Sequence, residues 1–448
     1  MDSLHHAKPT IRDADEPSSK SSSQSEGGQI HYALIDYPDQ YVQPLIMHAL
    51  QSAGTMQFSF ITSLSQMRSP ADPVLQFTGY ESLDFEHSMQ HPKTSLVCAY
   101  VIRKALIRKH YLSHTVSTWL VKHPDSILSS HFKPCVHFEL DYAEFLDDAL
   151  VDAWDLKESL TRNEGAEASQ KDWWILKPGM SDAGNGIRLF SSMEELQAIF
   201  EEWEDGEAAS DSVVPEEDAT TSADDTASER LDNAMTSQLR HFIAQPYIDP
   251  PFLIESYGNR KFHIRTYVLA VGALRVYVYK EMLALFAAQP YQPGFRTAGS
   301  ENVDLAQHLT NTCFQAESTR ASSVRRFWAL NVPGLRPDWQ TTIFDQICEV
   351  TGEVFEAAAR EQMVHFQTLP NAFELFGVDF LVDNDTNVWL LELNAYPDFR
   401  QTGQELQDVV VGGLFEEVAK IAVSPFFSHQ QQRSDRMPLV RSIDLGRA

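Results

Sequence analysis

The chain has 448 residues, 43% of them hydrophobic and 11% aromatic, which is enough for two or three domains with real cores. A formal net charge of −28 argues against general nucleic-acid or membrane-surface binding, no run of the chain approaches a membrane span, and the N-terminus is too polar for a signal peptide. The four cysteines, Cys98, Cys135, Cys313 and Cys348, are widely spaced and read as free thiols in a reducing compartment, so a cytoplasmic protein is expected.

Residues 1–29, rich in Ser, Asp, Glu and Gln, predict a disordered tail. Order begins at "IHYALIDYPDQYVQPLIMHAL", a strand and then an amphipathic helix, opening a small α/β domain over 30–100. From His87 to Pro124 there is no Asp or Glu, while Lys93, Arg103, Lys104, Arg108, Lys109 and Lys122 occur there. Such a segment suits a selected anionic ligand. Apolar spacing over 98–122 predicts a helix at the start of a central domain, 101–250. Within that domain "DWWILKPGMSDAGNGIRLF" reads as strand, glycine-containing loop, strand. Residues 201–240 hold 13 acidic and 2 basic side chains and predict a disordered insertion, because strand-like "HFIAQPYI" resumes after them.

A C-terminal domain is expected over 251–425. "KFHIRTYVLAVGALRVYVYKEMLALFA" reads as a hairpin with Lys261, His263 and Arg265 on one face and Phe262, Ile264 and Thr266 on the other. Residues 340–366 read as helix, "FGVDFLVDNDTNVWLLELNAYP" as a second hairpin, and 426–448 as a loose tail. The class is α+β, with antiparallel sheets and no long βαβαβ alternation, which counts against a Rossmann or P-loop enzyme.

The second hairpin carries oxygen-bearing side chains inside its strands. With the turn centred between Asp385 and Thr386, Asp379 pairs with Glu392, and Asn394 shares their face. Phe380, Val382, Leu391 and Leu393 fall on the other face. Opposed side chains lie about 5 Å apart at Cβ, so the two carboxylates repel unless a proton or cation lies between them. Two readings stay open: an oxygen site for Mg²⁺, or the solvated face of an edge hairpin. Other features favour bland readings when taken singly. Lys177 precedes Gly179, Gly184 and Gly186 without Walker spacing, Lys261 and Arg265 suit a solvated strand face, Arg103-Lys104 an exposed helix, and "HLTN" (His308 to Asn311) a cap or turn. Together they are the equipment for Mg-ATP binding and phosphoryl transfer, where positioning and charge neutralisation dominate.

In sequence and order, "RKALIRK", "WWILKPGMSDAGNGI", "AQPYI", "NRKFHIRTYVL", "HLTNTCFQ" and "FELFGVDFLVDNDTNVWLLELNAYP" resemble the tubulin tyrosine ligase family of ATP-grasp ligases, from about residue 96 to 400. The segment from Ile30 is similar to the leading domain of fungal members. The resemblance implies an ATP-grasp fold preceded by a small α/β N-terminal domain. It implies nucleotide contacts from Lys104, Lys177, Gln245, Pro246, Ile248, Lys261, Arg265, Thr310 and Asn394, with Mg²⁺ held by Asp379, Glu392 and Asn394. Arg265, Lys261 and Glu392 would act on the transferring phosphate.

The expected reaction is ATP- and Mg²⁺-dependent addition of an amino acid, tyrosine, to the C-terminal carboxylate of α-tubulin through an acylphosphate, by a monomer. Rival readings are another amino acid such as glutamate, another acceptor, or a nucleotide-binding scaffold. The chain departs from the family pattern at His263, where the family has Asp, at Pro246, where it has Lys, and at Leu285, where it has Arg.

Overall fold

The computed structural model describes residues 30–446 apart from 38, 40, 53–55, 168–169, 180–185, 212–239, 294–303, 311–314, 316–321 and 404–405. The expected N-terminal tail, most of the acidic insertion, Gly184, Asn311 and Cys313 lie outside the described residues.

Three sheets carry the chain. Strands β1 (His31–Asp36), β2 (Phe58–Ile61), β3 (Val74–Thr78) and β4 (Ser95–Val97) form a parallel sheet in the order β2-β1-β3-β4. Strands β5 (Val136–Glu139), β6 (Trp174–Pro178), β7 (Arg188–Phe190) and β8 (His241–Pro246) form an antiparallel sheet in the order β5-β8-β6-β7. The third sheet comprises β9 (Phe262–Val271), β10 (Arg275–Val278), β11 (Leu283–Phe286), β12 (Val324–Arg326), β13 (Phe373–Val382), β14 (Val388–Ala395) and β15 (Leu439–Ser442), all antiparallel.

Strand β9 is the spine of the large sheet, and all ten of its residues are buried. Its alternation separates two interiors. Phe262, Ile264 and Val268 pack with helix Trp339–Glu361, whose Ile343, Ile347, Val350, Val354 and Phe355 form one long apolar stripe. Tyr267, Leu269 and Val271, on the opposite face, share a core with Ile46 and Leu75 of the first sheet's layer and with Leu414 and Phe415 from the C-terminal helices. One face of the expected N-terminal domain's sheet, with Ala33, Leu75 and Phe77, is therefore sealed by the large sheet, while Tyr32, Leu34, Ile61 and Val74 form a small cluster of their own on the other.

Four expectations need amendment. The single hairpin after Lys261 is three strands, because β10 and β11 lie end to end along the same edge of β9. The helix expected over 98–122 is broken at Arg108, whose extended φ −104°, ψ 121° separates Lys104–Ile107 from Lys109–Lys122. Helix Met193–Asp211 runs into the segment assigned to the acidic insertion, held by Leu196, Ile199, Phe200 and Trp203, one helical stripe buried on the small antiparallel sheet. The 426–448 tail is not loose throughout, since β15 pairs with β10 and closes one edge of the large sheet.

Candidate functional site

A cleft of about 560 Å³ opens between the small antiparallel sheet and the large sheet. Strand alternation supplies its upper wall. Trp174 and Leu176 of β6, with Phe242 and Ala244 of β8, point into the small sheet's own core, so Ile175, Lys177 and Gln245 face the cleft. The chain leaving β8 adds Pro246, Tyr247 and Ile248. With Ile187, Leu381 and Leu391, these give one end of the cleft apolar walls beside a backbone segment, a slot suited to a flat heterocycle.

The other end is ionic. Registers across β9, β13 and β14 align Arg265, Asp379 and Glu392 in one row, Arg265 opposite Asp379 and Asp379 opposite Glu392. Gly377 keeps the adjacent row low, for a Cβ there would lie 3.4 Å from Arg265 Cδ and 3.2 Å from Pro397. The anticipated Asp379–Glu392 pairing is present, by a different route. Near the turn the pairs are Phe380 with Leu390 and Val382 with Val388, which centres the turn on Asp385; a bulge at Leu391 then restores Asp379 to Glu392. The bulge also turns Leu391 onto the cleft face, which corrects its expected position on the other face.

Each carboxylate has its own cation. Arg265 donates from Nε to Asp379 Oδ1 at 2.5 Å and from its terminal nitrogen to Oδ2 at 2.9 Å. Burial opposes the Arg265 charge, but Asp379 outweighs it and holds the guanidinium protonated. Lys109 Nζ lies 3.4 Å from Glu392 Oε2, and Asn394 Nδ2 donates to Glu392 Oε1 at 3.2 Å. Burial pushes the Glu392 carboxyl up, yet Lys109, Lys177, Asn394 and Arg265 together hold it below the usual carboxylate range.

Lys177, half-buried, and Lys261, buried, lie above this row. Lys177 Nζ donates to Gln245 Oε1 at 2.8 Å, and burial lowers its pKa. Lys261 Nζ donates to the Tyr247 hydroxyl at 2.8 Å, which lies 3.0 Å from His308 Nδ1. Burial first, and Lys177 after it, bring the Lys261 ammonium down to about 7, although Asp249 opposes the shift. His263 Nδ1 lies 2.6 Å from Thr310 Oγ1, while its Nε2 stands 3.7 Å from Asp379 and is a buried polar atom without a hydrogen-bond partner. Excess positive charge and the orphaned His263 Nε2 in the cleft call for a polyanion.

Lys177, Gln245, Pro246, Ile248, Lys261, Arg265, Thr310, Asp379, Glu392 and Asn394 all line this cleft. Lys104 does not: it is exposed at the head of its short helix, whereas Lys109, beyond the break at Arg108, enters the site. Both lysines follow an arginine within "RKALIRK", so local sequence does not distinguish them. Tyr247, His308, Asp398 and Arg400 were also not anticipated as cleft residues; Tyr247 was hidden inside the linker whose backbone drew notice, and His308 inside "HLTN". Leu285 sits opposite His263 on β11, wholly buried in the apolar cluster, and does not line the cleft.

The oxygen donors fit a hard cation. Asp379, Glu392 and the Asn394 amide oxygen are all-oxygen ligands, and each carboxylate oxygen keeps a lone pair beyond its present partner. Among the described residues no group of three or more His, Cys, Asp or Glu is disposed to hold a metal alone, so the remaining ligands would have to come from phosphate or water.

The sequence profile of the Tubulin-tyrosine ligase family matches residues 88–431. A Schizosaccharomyces pombe protein named "Probable tubulin--tyrosine ligase C12B10.04" is 43% identical over 416 residues, 92% of this chain and 96% of its own length. The Saccharomyces cerevisiae "Probable tubulin--tyrosine ligase PBY1" is 42% identical over 408 residues, 89% of this chain but 52% of the relative. A rat protein named "Probable tubulin polyglutamylase TTLL9" is 28% identical over 247 residues, 52% of this chain and 50% of that one. Among solved structures, the C-terminal domain of Kluyveromyces lactis Pby1, described as an ATP-grasp enzyme interacting with the mRNA decapping enzyme Dcp2, superposes with a TM-score of 0.68 at 34% identity, over 93% of this chain and 99% of that one.

Proposed function

The chain belongs to the tubulin-tyrosine ligase family, has the ATP-grasp fold, and on that footing we propose that it joins a free amino acid, tyrosine, to the C-terminal carboxylate of an α-tubulin tail at the expense of ATP. The observation that carries this reading is the cleft itself: an apolar slot leading to Lys177 and Lys261 above the row of Arg265, Asp379 and Glu392. The adenine base would lie between Ile175, Ile187, Leu381 and Leu391, against the Pro246–Ile248 backbone. Pro246 lacks an N–H but keeps the carbonyl that an adenine amino group needs.

The chemistry then divides into two transfers. An acceptor carboxylate oxygen attacks the γ-phosphorus, the bond to the β-bridging oxygen breaks, and ADP leaves with that electron pair. The amine nitrogen, arriving unprotonated, next attacks the acyl carbon; the bond to the phosphate oxygen breaks, and phosphate departs with that electron pair and the proton the nitrogen sheds as the amide forms. Lys177, Lys261 and Lys109 orient the phosphates and offset the charge that spreads over their oxygens. Arg265 serves this end while remaining bonded to Asp379. Magnesium, when bound by Asp379, Glu392 and Asn394, neutralises phosphate charge.

A second reading, addition of glutamate or glycine, draws support from relatives named as polyglutamylases and as polyglycylases, such as "Protein polyglycylase TTLL10" of Mus musculus, 28% identical over 54% of this chain.

The test is incorporation of labelled tyrosine into a detyrosinated α-tubulin tail peptide with ATP and Mg²⁺, beside Glu392→Gln. Transfer that disappears in the variant is the expected result. Absence of transfer from wild-type protein that binds ATP would sink the tyrosine–tubulin assignment, and the same assay with labelled glutamate and glycine then decides the second reading.

A further inference from the structure

Eleven large hydrophobic side chains are exposed among the described residues, and four of them fall within thirteen positions: Tyr142 (60% exposed), Phe145 (48%), Val151 (57%) and Trp154 (75%). Exposed apolar groups scattered singly need no explanation, whereas four within one short segment, two of them with their rings in contact, call for one. The bland account, a turn whose hydrophobic residues all serve the core, does not hold. The core is served by other residues of the same segment. Ala143, Leu146, Leu150, Ala153 and Leu156 are buried against the small antiparallel sheet, and the four exposed residues lie between them on the outward side.

The segment is held firmly. The Ala143 N–H donates to Glu204 of helix Met193–Asp211, Lys157 Nζ reaches back to the Asp147 carbonyl at 3.4 Å, and the Tyr142 and Phe145 rings meet edge to face at 6.2 Å. It lies on the side of the sheet away from the cleft, because the β6 and β8 residues beneath it alternate with those that face the cleft.

Charge selects the occupant. From Asp141 to Asp155 there are six acidic residues and no Lys or Arg; Arg240 pairs with Asp141 at 3.1 Å and Lys157 reaches the Asp147 carbonyl, which leaves the face net acidic. Helix-end electrostatics account for Asp147, Asp148 and Asp155, each in a first helical turn, but not for aromatic rings left in water among them. A second copy of the chain would bring the same acidic face against it. Residues 1–29 carry three basic and five acidic side chains, and 212–239 one basic and seven acidic, so neither of these segments complements it. We infer that this face docks a basic peptide segment of another protein, one that carries a large apolar anchor. The partner would be held on the back of the small sheet while the cleft stays open. An acidic acceptor tail would be repelled here, which separates this surface from the catalytic one.

The experiment selects a random dodecapeptide display library on the full chain, then on Phe145→Ser/Trp154→Ser and on Asp147→Lys/Asp148→Lys. Unchanged thermal midpoints and unchanged ATP binding show that each variant is folded. The expected result is a consensus of Lys or Arg interleaved with Trp, Phe or Leu, whose synthetic peptide binds wild type at least ten times more tightly than either variant. A consensus without basic residues, or binding indifferent to both variants, overturns the proposal. Concentration-dependent dimerisation abolished by Phe145→Ser/Trp154→Ser would make a second copy the occupant and overturn it equally.

Discussion

Arg265 and Asp379 are 8% and 5% exposed and joined by two hydrogen bonds, so replacing Arg265 by Met leaves a carboxylate buried with no compensating charge. No neighbour takes over. His263 Nε2 stands 3.7 Å from Asp379 with its pKa depressed, by burial first, and Lys109 is engaged with Glu392. Breaking one side of a buried pair costs about 3–5 kcal/mol, and Arg265→Met should fall in that range. Asp379→Leu should cost less, because Glu392 also acts on Arg265. The double variant Arg265→Met/Asp379→Leu removes both charges and should return to within about 1 kcal/mol of wild type, since an apolar replacement of a buried pair is often neutral. Urea unfolding of all four proteins, followed by far-UV circular dichroism and tryptophan fluorescence, measures the cycle. Arg265→Met within about 1 kcal/mol of wild type, or a double variant as unstable as the sum of the singles, would refute the reasoning.

Two further predictions concern nucleotide binding. Lys109→Met should weaken ATP binding by about 10- to 100-fold, as expected for one charged hydrogen bond, whereas Lys104→Met should change it less than about twofold; isothermal titration calorimetry reads both. Lys261, with a ligand-free pKa of about 7, is held protonated once it faces phosphate, so binding takes up a proton above that pH. ATP affinity should therefore be flat below pH 7 and fall by up to about tenfold per unit above it, a slope that Lys261→Met abolishes. Calorimetry at pH 8 in buffers of different ionisation enthalpy counts the proton directly, and no uptake there would contradict the role given to Lys261.

How much of this was legible beforehand depends on how local each feature is. Period-two alternation was enough to put Lys261, His263 and Arg265 on one face of β9, since that follows from the pleat of a single strand, whereas the Asp379–Glu392 pairing was anticipated on a turn centre that the bulge at Leu391 replaces. Lys177, ahead of Gly179, read as an ordinary turn when taken singly and was named as a nucleotide contact only through the family resemblance. Lys104 was the miss. Its motif repeats an Arg-Lys pair five residues apart, and which lysine enters the cleft depends on the extended backbone at Arg108, between helices held by the distant helix Trp339–Glu361 and by the His365 carbonyl. Leu391 shows the same limit on a smaller scale, because a one-residue bulge reverses the face of whatever precedes it.

The sequence by itself determined the α+β class, most of the strands and the face of β9 that carries Lys261, His263 and Arg265, because these rest on composition, spacing and strand alternation, while the nucleotide contacts and the Mg²⁺ ligands were named through the family resemblance. Tertiary structure decided which cations neutralise which carboxylates, that Leu285 is core and not cleft, and that the parallel sheet shares its interior with the large one. It also decided that Tyr142, Phe145, Val151 and Trp154 face outward. Each of these depends on residues tens or hundreds of positions apart coming into contact, and burial, which determines the strength of every charge and the exposure of every ring, exists only once they have.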